Sequence, residues 1–147
     1  MFAASFPSAR EIQTSEGDEE RRPFVAEPHH SLEGGALNAA ISETVVRLMA
    51  EAAGRGPTKA RTTIDRDLVV VVQNSLTSGE RYLADHDRTA QVLDMRRAYQ
   101  DSMSTDCIAA IEDLTGRTVQ AFMSANHIDP DLAAEVFILA PQTPQPA

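Results

Sequence analysis

Residues 88–115 contain the longest helical pattern in the chain, and this pattern sets the size of any fold built on it. At 100° per residue its apolar side chains form one stripe: Val92, Leu93, Met95, Tyr99, Met103, Cys107, Ala110, Ile111 and Leu114. With Asp87 as the predicted N-cap and Gly116 as the predicted stop, the helix would be roughly 42 Å long. A four-stranded sheet is only about 19 Å wide, with strands about 20 Å long. We therefore expect the helix to overhang the sheet and a second subunit to cover the rest of its stripe.

A second amphipathic helix lies in the first half of the chain. It is predicted to begin between Ser31 and Ala36 and to run to about residue 53, where Gly54 provides a left-handed stop. Its predicted buried stripe is formed by Leu37, Ile41, Val45, Leu48 and Ala52, with Met49 on the shoulder. This helix is therefore expected to pack one apolar face onto the rest of the fold.

Two strands follow, at about residues 58–65 and 67–74, joined by a tight turn. The first strand alternates and carries its cations on one side, which is typical of a strand with one buried face. The second contains the uninterrupted aliphatic run Leu68–Val72, so both of its faces should be covered. Helices can cover one face, and we expect a partner sheet or a second chain to cover the other.

The second half of the chain repeats the order of helix and hairpin. Thr77 and Glu80 have the spacing of a capping box and predict a short helix to about Ala84. After the long helix, residues 117–128 and 132–140 are predicted to be strands around an Asp-Pro turn. The pattern predicts a two-layer α+β fold, in which the N-terminal helix and the long helix pack on one face of a four-stranded sheet made from two β-hairpins.

Composition predicts one domain with a tail at each end. Residues 1–31 are expected to form a disordered acidic arm, residues 32–140 a single α+β domain, and residues 141–147 a disordered proline-rich tail. The formal net charge of −9 opposes general nucleic-acid binding, which needs a basic face. His29 and His30 have no further ligands at metal spacing, so we predict neither a metal site nor a cofactor.

The cysteine content and the apolar runs favour a cytoplasmic protein. Cys107 is the one cysteine, cannot form an internal disulfide, and is expected to be a small buried side chain on the long helix. The run Leu68–Val72 is far shorter than the roughly 20 residues of a membrane span. The N-terminus lacks the pattern of a secretory signal. We therefore expect a cytoplasmic location without a direct membrane span.

The segment 54–61 is the densest candidate binding site. It places three cations around a glycine-rich turn in an otherwise acidic protein, and the backbone N–H groups of such a turn can form an anion nest. The site would bind an anion or the carboxylates of a partner. Alternatively, the glycines stop the helix and the cations are solvated or paired with acids. The candidate residues are Gly54, Arg55, Gly56, Pro57, Lys59 and Arg61.

Arg96 is the second candidate. Helical spacing places it on the apolar stripe, where an unpaired charge would be costly. Either a carboxylate holds its guanidinium, with Glu80 and Asp106 as the candidates, or it contacts a ligand or partner. The sequence contains no GxSxG, HExxH or CxxC motif and no EF-hand loop. We therefore predict no catalytic residues.

Six segments carry a resemblance to a known family. They are GRGPTKARTTI (54–64), LVVVV (68–72), LTSGERYLA (76–84), VLDMRRAY (92–99), LTGRTV (114–119) and EVFIL (135–139). In order and spacing they resemble the bacterial MpsC family, named for its association with a sodium-translocating, membrane-potential-generating system. The resemblance implies a small cytoplasmic protein that accompanies an ion or inorganic-carbon transport system. It implies no defined reaction.

These observations favour a non-enzymatic, cytoplasmic accessory or regulatory module. It would self-associate, most simply as a homodimer, serve a membrane transport complex, and use the segment 54–61 to bind an anion or partner. The alternative is a nucleic-acid-binding or signalling module that uses the same basic turn. Nucleic acid is disfavoured by the net charge.

Overall fold

The computed structural model describes residues 32–57 and 59–144. The predicted acidic arm, with His29 and His30, lies outside these residues, as do the last three residues of the predicted tail. The elements are α1 (Gly34–Ala53), β1 (Lys59–Asp65), β2 (Leu68–Asn74), α2 (Ser78–Asp85), α3 (Thr89–Thr115), β3 (Val119–His127) and β4 (Leu132–Leu139). This is the predicted order, and the α+β class is confirmed.

One antiparallel sheet has the strand order β1-β2-β4-β3. The two hairpins therefore meet in the middle, where β2 pairs with β4. α1 packs on β1 and β2, α3 packs on β3, and the two helices contact each other. The chain thus contains two successive helix–hairpin units whose helices share one face of the sheet.

The core between helices and sheet is aliphatic, with Phe137 at its centre and the ring of Phe122 4.9 Å away. α1 contributes Met49 to this core rather than the predicted Ala52, which is exposed. Met49 follows Val45 by four residues and so continues the stripe one helical turn further, and its long side chain reaches the core. The fully assembled cluster comprises Ile41, Val45, Met49, Val69, Val71, Met103, Cys107, Ile111, Phe137 and Leu139.

Three of the four predicted helix signals are confirmed. Gly54 and Gly116 have φ values of 74° and 66° and end α1 and α3 in the left-handed conformation. The capping box at the start of α2 is present in both directions. The prediction of Asp87 as the N-cap of α3 is wrong, because the tight connection from α2 holds Asp87 at φ 61° and the N-cap is Arg88. Aspartate tolerates this conformation better than most residues.

The two ends of α3 are covered within one chain, without the second subunit that the length of the helix led us to expect. Val92 near its first turn and Ile111 near its last are both 0% exposed. α2 packs against α3, and α1 and β3 cover other parts of the long helix. The packing of α2 against α3 buries part of the stripe that the sheet alone would not cover. The apolar stripe of α3 therefore does not require a second subunit.

The second face of the sheet has no such cover. Along β2, Val69, Val71 and Gln73 are buried under the helices, whereas Leu68 and Val72 on the opposite side are each 38% exposed. β4 follows the same alternation. We call the side away from the helices the outer face; its apolar members are Leu68, Val70, Val72, Ala121, Met123, Ala125, Leu132, Ala134, Val136 and Ile138. Within the described residues this face is open to solvent.

Candidate functional site

The loop after β2 is the point where α2, α3 and the β3–β4 turn converge, and Arg96 organises it. Arg96 Nη2 lies 2.7 Å from Glu80 Oε2, and both side chains are at least 94% buried. The same guanidinium donates to the hydroxyl and to the backbone carbonyl of Ser75. Of the two carboxylates that the sequence offered, Glu80 is therefore the one that holds Arg96.

Glu80 links this ion pair to the capping box. Its Oε2 accepts a hydrogen bond from the backbone N–H of Thr77 at 2.7 Å, and its own N–H donates to Thr77 Oγ1 at 3.2 Å. Glu80 thus fixes the start of α2 and neutralises Arg96 at the same time. A buried charge needs an opposite charge and hydrogen-bond partners to limit its desolvation cost. The guanidinium has them at Nη1 and Nη2, whereas Nε has none among the described residues.

Asp131 holds the same loop from the other side. Its carboxylate accepts from the backbone N–H groups of Ser75 at 3.0 Å and of Leu76 at 3.1 Å. Asn74 Nδ2 donates to the Asp131 carbonyl at 2.8 Å, and Arg81 Nη2 lies 3.5 Å from Asp131 Oδ2. The turn after β3 is therefore tied to the end of β2 by charged and backbone groups together.

An open cleft of about 420 Å³ lies between this loop, α2 and the end of α1. We call it the α2 cleft. Two cations, Arg55 and Arg81, and two acids, Asp85 and Asp131, line it, so the cleft has no large charge of one sign. Tyr82 is 63% exposed at this cleft and stacks on His86 with ring centroids 4.1 Å apart. The remaining lining residues are Gly56, Asn74, Ser75, Leu76, Thr77 and Ser78.

The structure does not bring the three predicted cations into one nest. Arg55 lines the α2 cleft, whereas Lys59 and Arg61 line a separate depression on the outer face of β1. All three are exposed, and none forms an ion pair with another described residue.

Both glycines of the basic turn have structural explanations. Gly54 ends α1 with a positive φ. At Gly56, a Cβ atom would lie 3.2 Å from Ala50 Cβ and 3.3 Å from atoms of Val46. The glycine there allows the chain to cross closely over α1 before β1 begins. Pro57 lies beside the buried Arg96–Glu80 pair, lining a small depression there together with Arg55.

Sequence reasoning missed a second buried polar group, which contacts α3 at Gln100, one helical turn after Arg96. Glu135, in the central strand β4, is 2% exposed. Its carboxylate accepts hydrogen bonds from Ser124 Oγ and, at 3.0 Å, from Gln100 Nε2, while Asn126 Nδ2 donates to Gln100 Oε1 at 2.7 Å. The available signal was the position of Glu135 two residues from Ala133 and Phe137, which places it on the buried side of the strand.

Burial raises the pKa of Glu135, although the hydrogen bonds from Ser124 and Gln100 and the charge of Arg96 act in the opposite direction. Cys107 is buried on α3, as Gln100 is. Its pKa is raised to about 12 by burial and by the nearby acids Glu135 and Asp106. Its thiol is therefore protonated at neutral pH and is a poor nucleophile or ligand.

Within the described ranges, no three His, Cys, Asp or Glu side chains lie together in a way that could hold a metal ion. No helix in this part of the chain is both long enough and apolar enough to cross a membrane.

A family model described as "Na+-translocating membrane potential-generating system (MpsC)" matches residues 33–141. This span contains all seven elements and every candidate residue described above. No curated protein and no solved structure matches the chain.

Proposed function

Because the chain belongs to the MpsC family, we propose that it is a cytoplasmic, non-enzymatic accessory or regulatory module of a sodium-translocating system that generates membrane potential. It acts as a homodimer and binds an anion or an acidic partner group through the basic turn after α1. The family description links the chain to this transport system. The residues that support each further part of the proposal are given below.

The open outer face is the observation that carries the proposal. Leu132 is 40% exposed and Met123 54% exposed, in addition to the half-open Leu68 and Val72. A contiguous apolar surface of this kind often marks a protein–protein interaction site. It supports a module that works by association.

The polar groups of the interior support a role without catalysis. Glu80 and Arg96 neutralise each other and connect α2 to α3. Glu135 is engaged by two hydrogen-bond donors, and the Cys107 thiol is buried and protonated. Each of these buried groups, whose chemistry could suit an acid, a base or a nucleophile, has a structural role.

Arg55 supports the anion or partner site. It is exposed at the α2 cleft beside Gly56 and the start of α2, and it pairs with no described acid. Its neighbour Arg81 adds a second cation, partly neutralised by Asp131. A small oxyanion or a partner carboxylate would find the guanidinium groups of Arg55 and Arg81 there as charged donors.

The association is tested by light scattering coupled to size-exclusion chromatography on the full chain at micromolar concentration. We expect twice the mass of one chain. Elution as a monomer across the accessible concentration range would contradict the homodimer.

The anion site is tested by calorimetric titration with phosphate and with bicarbonate. Arg55→Ala should weaken binding at least ten-fold, because it removes the cation of the cleft that has no ion-pair partner among the described residues. Arg47→Ala is the matched control, since Arg47 is an exposed cation on α1 paired only with Glu51 at the next turn. Equal binding by the wild type and Arg55→Ala would reject the site. Salt-sensitive binding of DNA or RNA would instead favour the nucleic-acid alternative.

The transport role is tested in cells that lack the gene, with a voltage-sensitive dye as the readout of membrane potential. We expect a lower potential in sodium-containing medium, restored by the wild-type protein. An unchanged potential after deletion would contradict the accessory role.

A further inference from the structure

The outer face has a regular arrangement of apolar rows. The register places Thr63, Val70, Val136 and Met123 in one row across the four strands. On one side of it lies the row of Asp65, Leu68, Ile138 and Ala121, and on the other the row of Arg61, Val72, Ala134 and Ala125. The middle of the face is therefore apolar across β2 and β4, and its formal charges are confined to β1.

The charges on β1 are segregated along the strand. Lys59 and Arg61 lie towards its first end and Asp65 at its last, with Thr63 between them. All of these side chains are exposed, and within the described residues none of the three charged groups has an ion-pair partner. The edge strand thus presents a positive end and a negative end beside an apolar surface.

We infer that two copies of the chain pack their outer faces together about a two-fold axis that runs perpendicular to the strands, through the row of Thr63, Val70, Val136 and Met123. This inference rests on the homodimer of the proposed function and gives that dimer its interface and orientation. Each strand then lies over its own copy in the opposite direction. Arg61 of each protomer faces the partner's Asp65, and Lys59 lies two residues further along the same strand.

The charges select this axis over the other in-plane choice. A two-fold axis parallel to the strands would place β1 over β3 of the other copy, and Lys59 and Arg61 would then face Ala125 and His127 without an acid. Burying those cations unpaired would be costly. The perpendicular axis gives two sets of opposite charges at the rim and apolar contacts at the centre, in the aligned sheet packing common in β-sandwiches.

The area of the outer face is close to the lower limit for a specific contact. With strands about 4.8 Å apart and about 3.4 Å per residue, the outer face covers roughly 19 by 24 Å, or about 450 Å² in projection. Two copies together bury about 900 Å² before the relief of the side chains is counted. Specific interfaces begin at about 1,000–1,200 Å² of accessible surface. The apolar centre supplies affinity, and the charges on β1 set orientation.

The orientation predicts the result of exchanging charges on β1. Arg61→Asp places an acid opposite Asp65 of the other copy, and Asp65→Arg places a cation opposite Arg61. Each single variant should raise the dimer dissociation constant at least ten-fold, as measured by sedimentation equilibrium on the full chain. The double variant Arg61→Asp/Asp65→Arg restores opposite charges at both contacts and should return the constant to within about three-fold of the wild type.

Two controls keep the outcomes distinct. Circular dichroism and thermal unfolding should show that the variants at Arg61 and Asp65 fold like the wild type, because both side chains are exposed. Val136→Asp, at the centre of the face, should dissociate the dimer whatever its orientation. A wild-type dimer that Val136→Asp disrupts but that shows no rescue in the double variant would overturn the orientation and leave the dimer standing. A dimer insensitive to Val136→Asp would overturn the outer face as the interface, and a monomeric wild type would overturn both proposals.

Discussion

The carboxylate of Glu80 in α2 and the guanidinium of Arg96 in α3 form a buried ion pair with 2.7 Å between Oε2 and Nη2. The same two side chains bind the loop after β2 through Thr77 and Ser75. One pair of residues therefore joins two helices to the end of a strand, next to the α2 cleft. The position of the cleft walls depends on this contact.

The first prediction concerns removal of one partner of the pair. Glu80→Gln leaves Arg96 charged in a buried site, and we expect a loss of about 3–5 kcal/mol in the free energy of unfolding. Arg96→Met should have a similar cost because it leaves Glu80 without its cation. The double variant Glu80→Gln/Arg96→Met should lose less free energy of unfolding than the two single variants lose together. Urea unfolding of the four proteins measures this coupling, and strict additivity would contradict a direct pair.

The second prediction concerns pH. Burial raises the pKa of Glu135 in the folded protein above its ordinary value of 4.5, so the unfolded chain releases this proton first. Stability should therefore fall as the pH rises from that ordinary value through the folded-state pKa. Glu135→Gln removes the ionisation while keeping a hydrogen-bonding side chain. Urea unfolding gives the difference in the free energy of unfolding between the variant and the wild type at pH 4 and at pH 8. We expect this difference to favour the variant more at pH 8 than at pH 4. The same difference at both pH values would contradict the buried ionisation.

The third prediction concerns the thiol of Cys107. Its pKa of about 12 and its burial should make it unreactive towards a disulfide reagent at pH 8 in the folded protein. Reaction should occur only through opening of the structure and should accelerate in urea in parallel with unfolding. Rapid stoichiometric labelling of the native protein would show that the thiol is accessible.

The fourth prediction separates two glycines. Gly56→Ala should lower the free energy of unfolding by about 1–3 kcal/mol, because the added Cβ would meet Val46 and Ala50 at 3.2–3.3 Å. Gly79→Ala is the control: no atom lies within 4 Å of its Cβ position, and it is in the first turn of α2. There alanine should be neutral or slightly stabilising. Thermal unfolding distinguishes the two, and equal midpoints would contradict close packing at Gly56.

The predictable parts of the fold are those determined within a few residues. The capping box of Thr77 and Glu80 and the left-handed stop at Gly54 depend on local backbone geometry, and both are present. The length of α3 was also predictable, but the elements that bury its apolar stripe were not. That cover depends on α2 folding back against α3, which is a tertiary contact without a signal in the helix itself.

The candidate site was less predictable because it depends on where the side chains point as the chain passes from the turn after α1 into β1. Arg55 lies in the turn, but Lys59 and Arg61 belong to β1, where alternation sends them to the outer face. The side taken by the helices decides that direction. Sequence spacing places three cations near one another along the chain, and the strand then separates Arg55 from the other two.

The two helix–hairpin units are joined in the sheet along β2 and β4. Each unit is continuous in sequence, so most of its own contacts join residues that are near one another in the chain. The pairing of β2 with β4, the contact between α1 and α3, and the hydrogen bonds of Asp131 to the loop after β2 join distant parts of the chain. At high concentration, a molecule that opens at the α2–α3 connection can pair either half with the complementary half of a neighbour. Exchange of halves would give an intertwined pair with the same contacts as the closed chain, a product set by topology and distinct from association through intact surfaces.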